Sequence, residues 1–469
     1  MVNFYGREQL FTDFPEVNSG NIREVLTEIE SKHGKNKNQI QFLYDYYRGK
    51  QPILDRVKEI RPEICHKIVE NWANAIVSFK VGYLCGSPIQ YVSGKSEEDL
   101  TDKIDALNDF MEGLGKAGVD KDLFEWQMIS GTSYRATFTD KDEVVQITSL
   151  DPRRTFVIYS NDIFQKPLAS GYITTKREGG SIIKYTTVYT DAEVIELKER
   201  QVISTTPNFL KRNPIIEYPA NNARLSVIEV VLDLLNAIND LDSGRLDSVE
   251  QFVQSLMVVY NAKLEDETGN SIREKGLVEL KSVGDAKADI KIISEQLDQS
   301  QTQTLKEDLI QRVREIIGLP SQGDGNTGDS SNNGAMILKG GWENAETRAR
   351  ESELMFKKSE IPFMKLLFDI LRKKNVVDLE VSDVDIRFTR RNYENIQVKS
   401  QVLTTMLSNE KIAPKLAFES CGMFIDPEEA YKESKDYYDD NRRTEQSNIG
   451  DNGINNEVPD NNEGDRFNP

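Results

Sequence analysis

The apolar residues of this chain change their spacing twice, near residue 83 and again at Asn221, and these switches constrain the fold more than any other feature of the sequence. Up to Gly82 they recur three to four positions apart. Ile22, Val25, Leu26 and Ile29 form one run, a second from Gln39 to Tyr47 stops at Gly49, and Ile64, Ile68, Trp72, Ile76 and Phe79 form a third after Pro62. That is the spacing of helices with one buried face. From 83 to 218 alternation replaces it. Residues 131–139 and 144–148 predict a hairpin around Asp140 to Glu143. Residues 155–159, 170–175, 182–189 and 201–204 add β segments with turn residues between them, and 100–113 is a helical insertion. The expectation is an α+β fold with a mainly antiparallel sheet.

After Asn221 the helical period returns. Ser226-Val227-Ile228-Glu229 is a capping-box pattern, and the helix that follows is expected to run to Tyr260 with a kink at Ser243-Gly244. Residues 262–296 are mixed, with strands expected at 277–280 and 289–293. A second helix is expected over 298–317, stopped by Gly318 and Pro320. Residues 321–341 hold six glycines among Ser, Asn and Asp, and a loop this long is usually functional or disordered. A long helix over 343–374, bent at Pro362, a strand over 383–389 and a helix over 392–407 follow. Asp426-Pro427-Glu428-Glu429 then starts a last helix. Beyond Tyr438 almost nothing apolar remains, and an unfolded tail is expected.

Along the helix from Ser226, eight polar residues fall at alternating spacings of four and three: Glu229, Asp233, Asn236, Asp240, Ser243, Asp247, Glu250 and Gln254. At ~100° per residue they form one stripe, with Ile228, Val231, Leu235, Ile238, Val249 and Leu256 away from it. Such a stripe reads either as a solvated face or as the acidic lining of a conduit.

Charge bears on that choice. The 78 Asp and Glu outnumber 59 Lys and Arg, for a formal net charge of -19. A protein that grips nucleic acid by its phosphates carries a basic excess, so tight wrapping of DNA is excluded as the main task. Passage of DNA without retention is not. Cys65, Cys85 and Cys421 make no metal-type pair or disulfide framework, and a reduced intracellular setting is expected. His33 and His66 are the only histidines and carry no motif of a triad or zinc site. No stretch reaches the ~20 apolar residues of a membrane span. The first eight residues show no basic region followed by an apolar run, so no signal peptide is expected.

Two enzyme readings are weighed and set aside. Gly323-Asp324-Gly325-Asn326-Thr327-Gly328 fits G-x-G-x-x-G, but it follows a helix end, not a strand, and no P-loop motif exists. Asp383 and Asp385 would share one side of a strand and could serve a Mg²⁺-dependent nuclease, yet no third carboxylate is identifiable. No cofactor or metal is expected.

Two further stretches carry a resemblance. Tyr46-Tyr47-Arg48-Gly49-Lys50-Gln51-Pro52-Ile53-Leu54 is the first. Lys67 to Trp72, continued by Phe79-Lys80-Val81-Gly82-Tyr83-Leu84-Cys85-Gly86-Ser87-Pro88-Ile89, is the second. With the order helix, insert, helix, Gly-rich loop, long helix from 224 to 374, the chain resembles the portal proteins of tailed double-stranded-DNA bacteriophages. The resemblance implies a ring of identical subunits, typically a dodecamer, at one capsid vertex, through which DNA is packaged and ejected. It implies N-terminal helices and a β-rich wing over 1–220, a first stem helix over 221–261 and a small α/β clip over 262–296. A second stem helix over 297–320, a Gly-rich tunnel loop over 321–342, a long bent wing helix with a returning strand over 343–390, a helical crown over 391–438 and an acidic tail over 439–469 complete it. On this reading Ala335, Met336, Ile337, Leu338 and Lys339 form the tunnel loop beside DNA, and Asp240, Asp247, Glu250 and Gln254 face the channel. The implied partners are other copies of the chain, the terminase large subunit, the head-tail adaptor, scaffold and major capsid protein, and double-stranded DNA without sequence specificity. The implied location is the virion, with assembly in the host cytoplasm. A capsid accessory or connector protein without a channel is the alternative.

Overall fold

The computed structural model describes residues 5–59, 61–94, 100–139, 144–253, 256–260, 289–293, 299–320, 342–390, 396–424 and 426–450. Its α+β architecture is organised about one long N-terminal helix. Helix α1 (Ile22–Tyr47) runs unbroken through His33-Gly34, joining the two runs expected as separate helices. Its first half packs Ile22, Val25 and Ile29 onto a six-stranded sheet. Its second half puts Leu43 and Tyr46 into a larger helical core.

That sheet has the order β1-β5-β6-β7-β8-β9. Strand β1 (Leu10–Thr12) pairs parallel with β5 (Thr155–Ser160). Strands β6 (Pro167–Glu178), β7 (Ser181–Thr190), β8 (Glu193–Lys198) and β9 (Gln201–Pro207) continue as an antiparallel meander. Each expected β segment lies inside one of these strands, and β8, not singled out from the sequence, fills the gap. Gly171 is required where it stands, because a Cβ there would lie 2.3 Å from the Phe156 ring that crosses it.

A second sheet, β10-β3-β4, contains the expected hairpin: β3 (Thr132–Thr139) pairs with β4 (Val145–Leu150), and β10 (Ile215–Pro219) flanks β3. Against it lies α4 (Lys116–Ser130), which in turn packs on α2 (Trp72–Cys85) and α3 (Thr101–Gly113). Gly131, at φ +80°, turns α4 into β3, and a Cβ there would meet the Arg224 carbonyl at 2.0 Å. Strand β2 (Gln90–Ser93) pairs with β13 (Val384–Arg387), which closes the C-terminal half onto the N-terminal half.

Three elements differ from expectation. Residues 65–71 are extended, and α2 begins only at Trp72, with the Asn71 side chain accepting the Asn74 amide. Helix α5 (Leu232–Val253) continues through Gly244 but does not reach Tyr260. Leu256–Tyr260 is instead strand β11, paired antiparallel with β12 (Asp289–Ile293). The run Leu256-Met257-Val258-Val259-Tyr260 is β-branched and aromatic, which favours a paired strand over a helix end. The C-terminal helices are α8 (Ile396–Leu407), α9 (Pro414–Cys421) and α10 (Pro427–Gly450). The last runs twelve residues past Tyr438, where an unfolded tail was expected. Acidic residues Glu428 and Glu429 in its first turn complement the helix dipole. Residues 451–469 lie outside the described ones.

Helix α6 (Gln299–Ile317) starts one residue from its expected place, and α7 (Trp342–Lys373) contains Pro362. Beside that proline, α7 places Glu360 in the centre of the molecule, within a fully buried charge cluster. Arg135 of β3 donates to Glu360 at 2.7 Å and also bonds Asp120 of α4. Lys116 reaches Asp120 at 2.5 Å and Glu360 at 3.1 Å. The hydroxyls of Tyr91 and Tyr218 both donate to Glu360 at 2.8 Å. Burial alone would push the Glu360 carboxyl up, but Arg135 and Lys116 overcome it and hold the group ionised at about 2. Burial pushes Asp120 above its ordinary value. Removing one member of a buried ionic cluster strands the rest. Glu360→Gln is therefore expected to lower unfolding stability by about 3–5 kcal/mol, read as a shifted denaturant midpoint. An unchanged midpoint would show that the cluster does not fasten α7 to α4 and β3.

Candidate functional site

The site to test is the polar stripe of α5, because it holds the candidate channel-facing residues Asp240, Asp247 and Glu250. The structure divides the stripe. Glu229 is buried in an ion pair with Arg7 of the N-terminal segment, and its other oxygen accepts the Ser226 amide at 2.6 Å, which completes the expected cap. Asn236 accepts the Tyr46 hydroxyl at 3.0 Å. The centre of the stripe is covered by the extended segment 65–71, here termed the strap.

The strap is bonded to α5 in register. The backbone amides of His66, Ile68 and Glu70 donate to Asp247 (2.7 Å), Ser243 (3.0 Å) and Asn239 (2.8 Å). Two residues of extended chain advance ~6.6 Å and four residues of helix ~6 Å. Alternate strap amides therefore meet every fourth helix residue, with the two segments running in opposite directions. Side chains complete the attachment. Asn239 donates to Gln51 at 2.5 Å, and Lys306 of α6 pairs with Asp242 (2.9 Å) and Glu70 (3.1 Å).

Asp247 is the hub. It was expected to face a channel, but it is 3% exposed. Arg56 reaches it at 3.0 Å, Lys58 at 3.2 Å and the His66 ring at 2.9 Å. Burial pushes its carboxyl up, but the bonds from His66 and Lys58 outweigh burial and hold it at about 2. A carboxylate so enclosed presents no charge to a ligand of this face. Glu250 is half-buried, 3.3 Å from the other nitrogen of His66. Asp233 and Asp240, at one edge of the stripe, are exposed. The Gln254 side chain and all of Ala335 to Lys339 lie outside the described residues, as do the G-x-G-x-x-G segment and the expected strand at 277–280.

Missed in the sequence were Asn239, Arg56, Lys58 and the strap itself. The available signal was the small polar side chains at Asn239, Ser243 and Asp247, four apart, each able to accept an amide bond.

The nuclease residues are structural. Asp383 accepts the Glu380 amide at 2.8 Å, and Asp385 pairs with Lys357 at 3.3 Å and Arg387 at 3.0 Å. Among the described residues no group of three or more His, Cys, Asp or Glu is placed to hold a metal ion. Nor is any described helix long and apolar enough to cross a membrane.

Helix α5 thus has the centre of its polar face on the strap and α6 packed against it. Residues 26–446 match the family model of phage portal proteins of the SPP1 Gp6-like type, and the chain belongs to that family. No curated protein matches it. A solved structure described as the neck of an empty GTA particle, computed with C6 symmetry, aligns with 12% identity and a TM-score of 0.43, covering 75% of this chain and 90% of that one. The protein is thus a phage portal protein, a virion component that forms a homo-oligomeric ring for DNA passage through the capsid.

Asp247→Asn keeps an acceptor for the His66 amide but removes the charge paired with Arg56 and Lys58. It is expected to cost about 1–2 kcal/mol at neutral pH, the scale of a charge-assisted bond, and to open 56–70 to protease. The folded carboxyl titrates below its unfolded value, so this stability is complete above about pH 4 and is lost as pH falls toward 2. The difference between variant and wild type should close over that window. A difference that persisted at pH 2 would contradict the ionic account.

Proposed function

We propose that the subunits close into a ring, a dodecamer on the family's usual count, in which α5 and α6 form the stem. The observation that carries this is the outer surface of that helix pair. Leu246 (40%) and Val249 (42%) on α5, and Leu305 (51%) and Ile316 (41%) on α6, remain exposed in the single chain. With its polar centre on the strap, the pair buries these residues only against another copy, and a head-to-tail contact of this kind generates a closed ring. The residues between α5 and α6 form the clip, which docks the terminase large subunit during packaging and the head-tail adaptor afterwards. The wing meets scaffold and major capsid protein, and assembly takes place in the host cytoplasm. The role is that of a conduit and docking platform, not of an enzyme.

Within the ring, the exposed edge of the stripe, Asp233 and Asp240, supplies the acidic lining, in place of Asp247 and Glu250. Duplex DNA carries one charge per ~1.7 Å, so a basic wall would hold it, whereas an acidic one repels it toward the axis. Ala335 to Lys339 form the tunnel loop, whose Lys339 touches DNA transiently.

Two outcomes test this. Asp233→Lys/Asp240→Lys rings should retain DNA at low salt and release it as salt rises, since each added contact is rewarded by counterion release. Equal, negligible retention by variant and wild type would remove these residues from the channel. Deleting Ala335 to Lys339 should give normal rings in electron micrographs, and proheads that package at least tenfold less DNA. Wild-type packaging would remove the loop from the mechanism.

A further inference from the structure

A recess of about 260 Å³ opens where α2, the start of α7 and the segment after β13 meet, lined by Ser78, Phe79, Gly82, Tyr83, Trp342 and Arg390 among others. Its walls are aromatic. The Phe79 and Tyr83 rings stack with centroids 5.7 Å apart, and Trp342 lies 6.2 Å from the first and 5.9 Å from the second. The walls are also fixed. The Tyr83 hydroxyl donates to Glu346 at 3.0 Å. Arg390, 5.9 Å from the Tyr83 ring, is held by Glu346 at 2.7 Å and by Glu353. With its charge matched by two carboxylates, Arg390 contributes a flat, neutralised surface, and the recess is suited to an apolar guest.

We propose that this recess is the docking site for Met336-Ile337-Leu338 of the same chain. The triplet belongs to the only apolar run, Ala335 to Leu338, in the sequence of residues 321–341, and water is a poor environment for it. Trp342, the first residue of α7, is itself a wall of the recess. Leu338 is four residues away, and four residues of extended chain span at most ~14 Å. The connection keeps the triplet beside the recess at high effective concentration, which favours it over an equivalent segment of another copy or another protein. Docking divides the loop into an arm, 321–334, and an anchored foot, so that Lys339 is carried at one place in every subunit. That consequence for DNA rests on the tunnel-loop reading; the docking does not.

The floor of the recess supplies a clean test. A Cβ on Gly82 would meet nothing within 4 Å, whereas one on Gly86 would lie 2.4 Å from the Gly82 carbonyl. Gly82 sits inside α2, where a side chain also favours the helix. Gly82→Leu therefore fills the recess without crowding the backbone. Hydrogen exchange on the intact ring without DNA should show the amides of 336–338 exchanging at least tenfold slower than those of 325–333. In Gly82→Leu the two rates should become equal while α2 and α7 keep their protection. Unchanged exchange of 336–338 in the variant would overturn the proposal, as would fast exchange in the wild type. A Gly82→Cys/Ile337→Cys ring, oxidised and denatured, supplies an independent readout. A cross-link that leaves the chain at monomer mobility is expected, and one that joins two copies would overturn the same-chain assignment. A defect in packaging without any change in exchange would tell against the docking and leave the DNA role of the loop standing.

Discussion

Three backbone amides, those of His66, Ile68 and Glu70, find their acceptors on the side chains of one helix, and much of the organisation of α5 and α6 follows from that bonding. An extended segment without a strand partner leaves amides unsatisfied, which is costly once they are shielded from water. Asn239, Ser243 and Asp247 remove that cost for the strap, and the strap in turn covers the acidic centre of α5. The outer residues Leu246 and Val249 are then left as the surface on which the stem can associate. Lys306 links α6 to the same unit through Asp242 and Glu70, so that α5, α6 and the strap form one body.

The electrostatics of the channel reading change with this arrangement. A stripe counted from the sequence offers five carboxylates, but Glu229 and Asp247 are neutralised within the chain by Arg7, Arg56 and Lys58. What α5 presents most openly to solvent is the pair Asp233 and Asp240, with Glu250 half-buried against His66. Twelve copies of even this pair would place 24 negative charges in two rings, one helical turn pair apart, on the family's usual subunit count. Weak repulsion from spaced rings suits a duplex that must slide without being held. On the proposed stem assignment, the strap sets the charge of this helix pair as well as its shape.

Most of the six-stranded sheet was legible in the sequence because its strands are half-buried and alternate, as Thr186, Val188 and Thr190 of β7 do between less buried neighbours. The capping pair Ser226 and Glu229 was legible because its chemistry is local. The strap was not. Ile64, Ile68 and Trp72 stand four apart and mimic a helix, but the acceptors that hold the amides of His66, Ile68 and Glu70 lie some 170 to 180 positions later in the chain, beyond any local pattern. The end of α5 was missed because the stripe continues in register to Gln254 while the pairing of Leu256–Tyr260 with Asp289–Ile293 decides the structure. The folding of α10 past Tyr438 was missed because few apolar residues were taken to mean no helix, although charged residues of good propensity also form one. The aromatic recess of Phe79, Tyr83 and Trp342 could be found only in three dimensions.

The most direct test is a side-chain-resolution electron cryomicroscopy reconstruction of the ring formed by the full chain. The account predicts a closed ring with a central opening in which every subunit keeps residues 65–71 along α5. Asp247 should remain within bonding distance of Arg56 and His66, with Leu246 and Val249 against the neighbouring subunit. A ring in which the strap has left α5 and Asp247 points into the opening would contradict it.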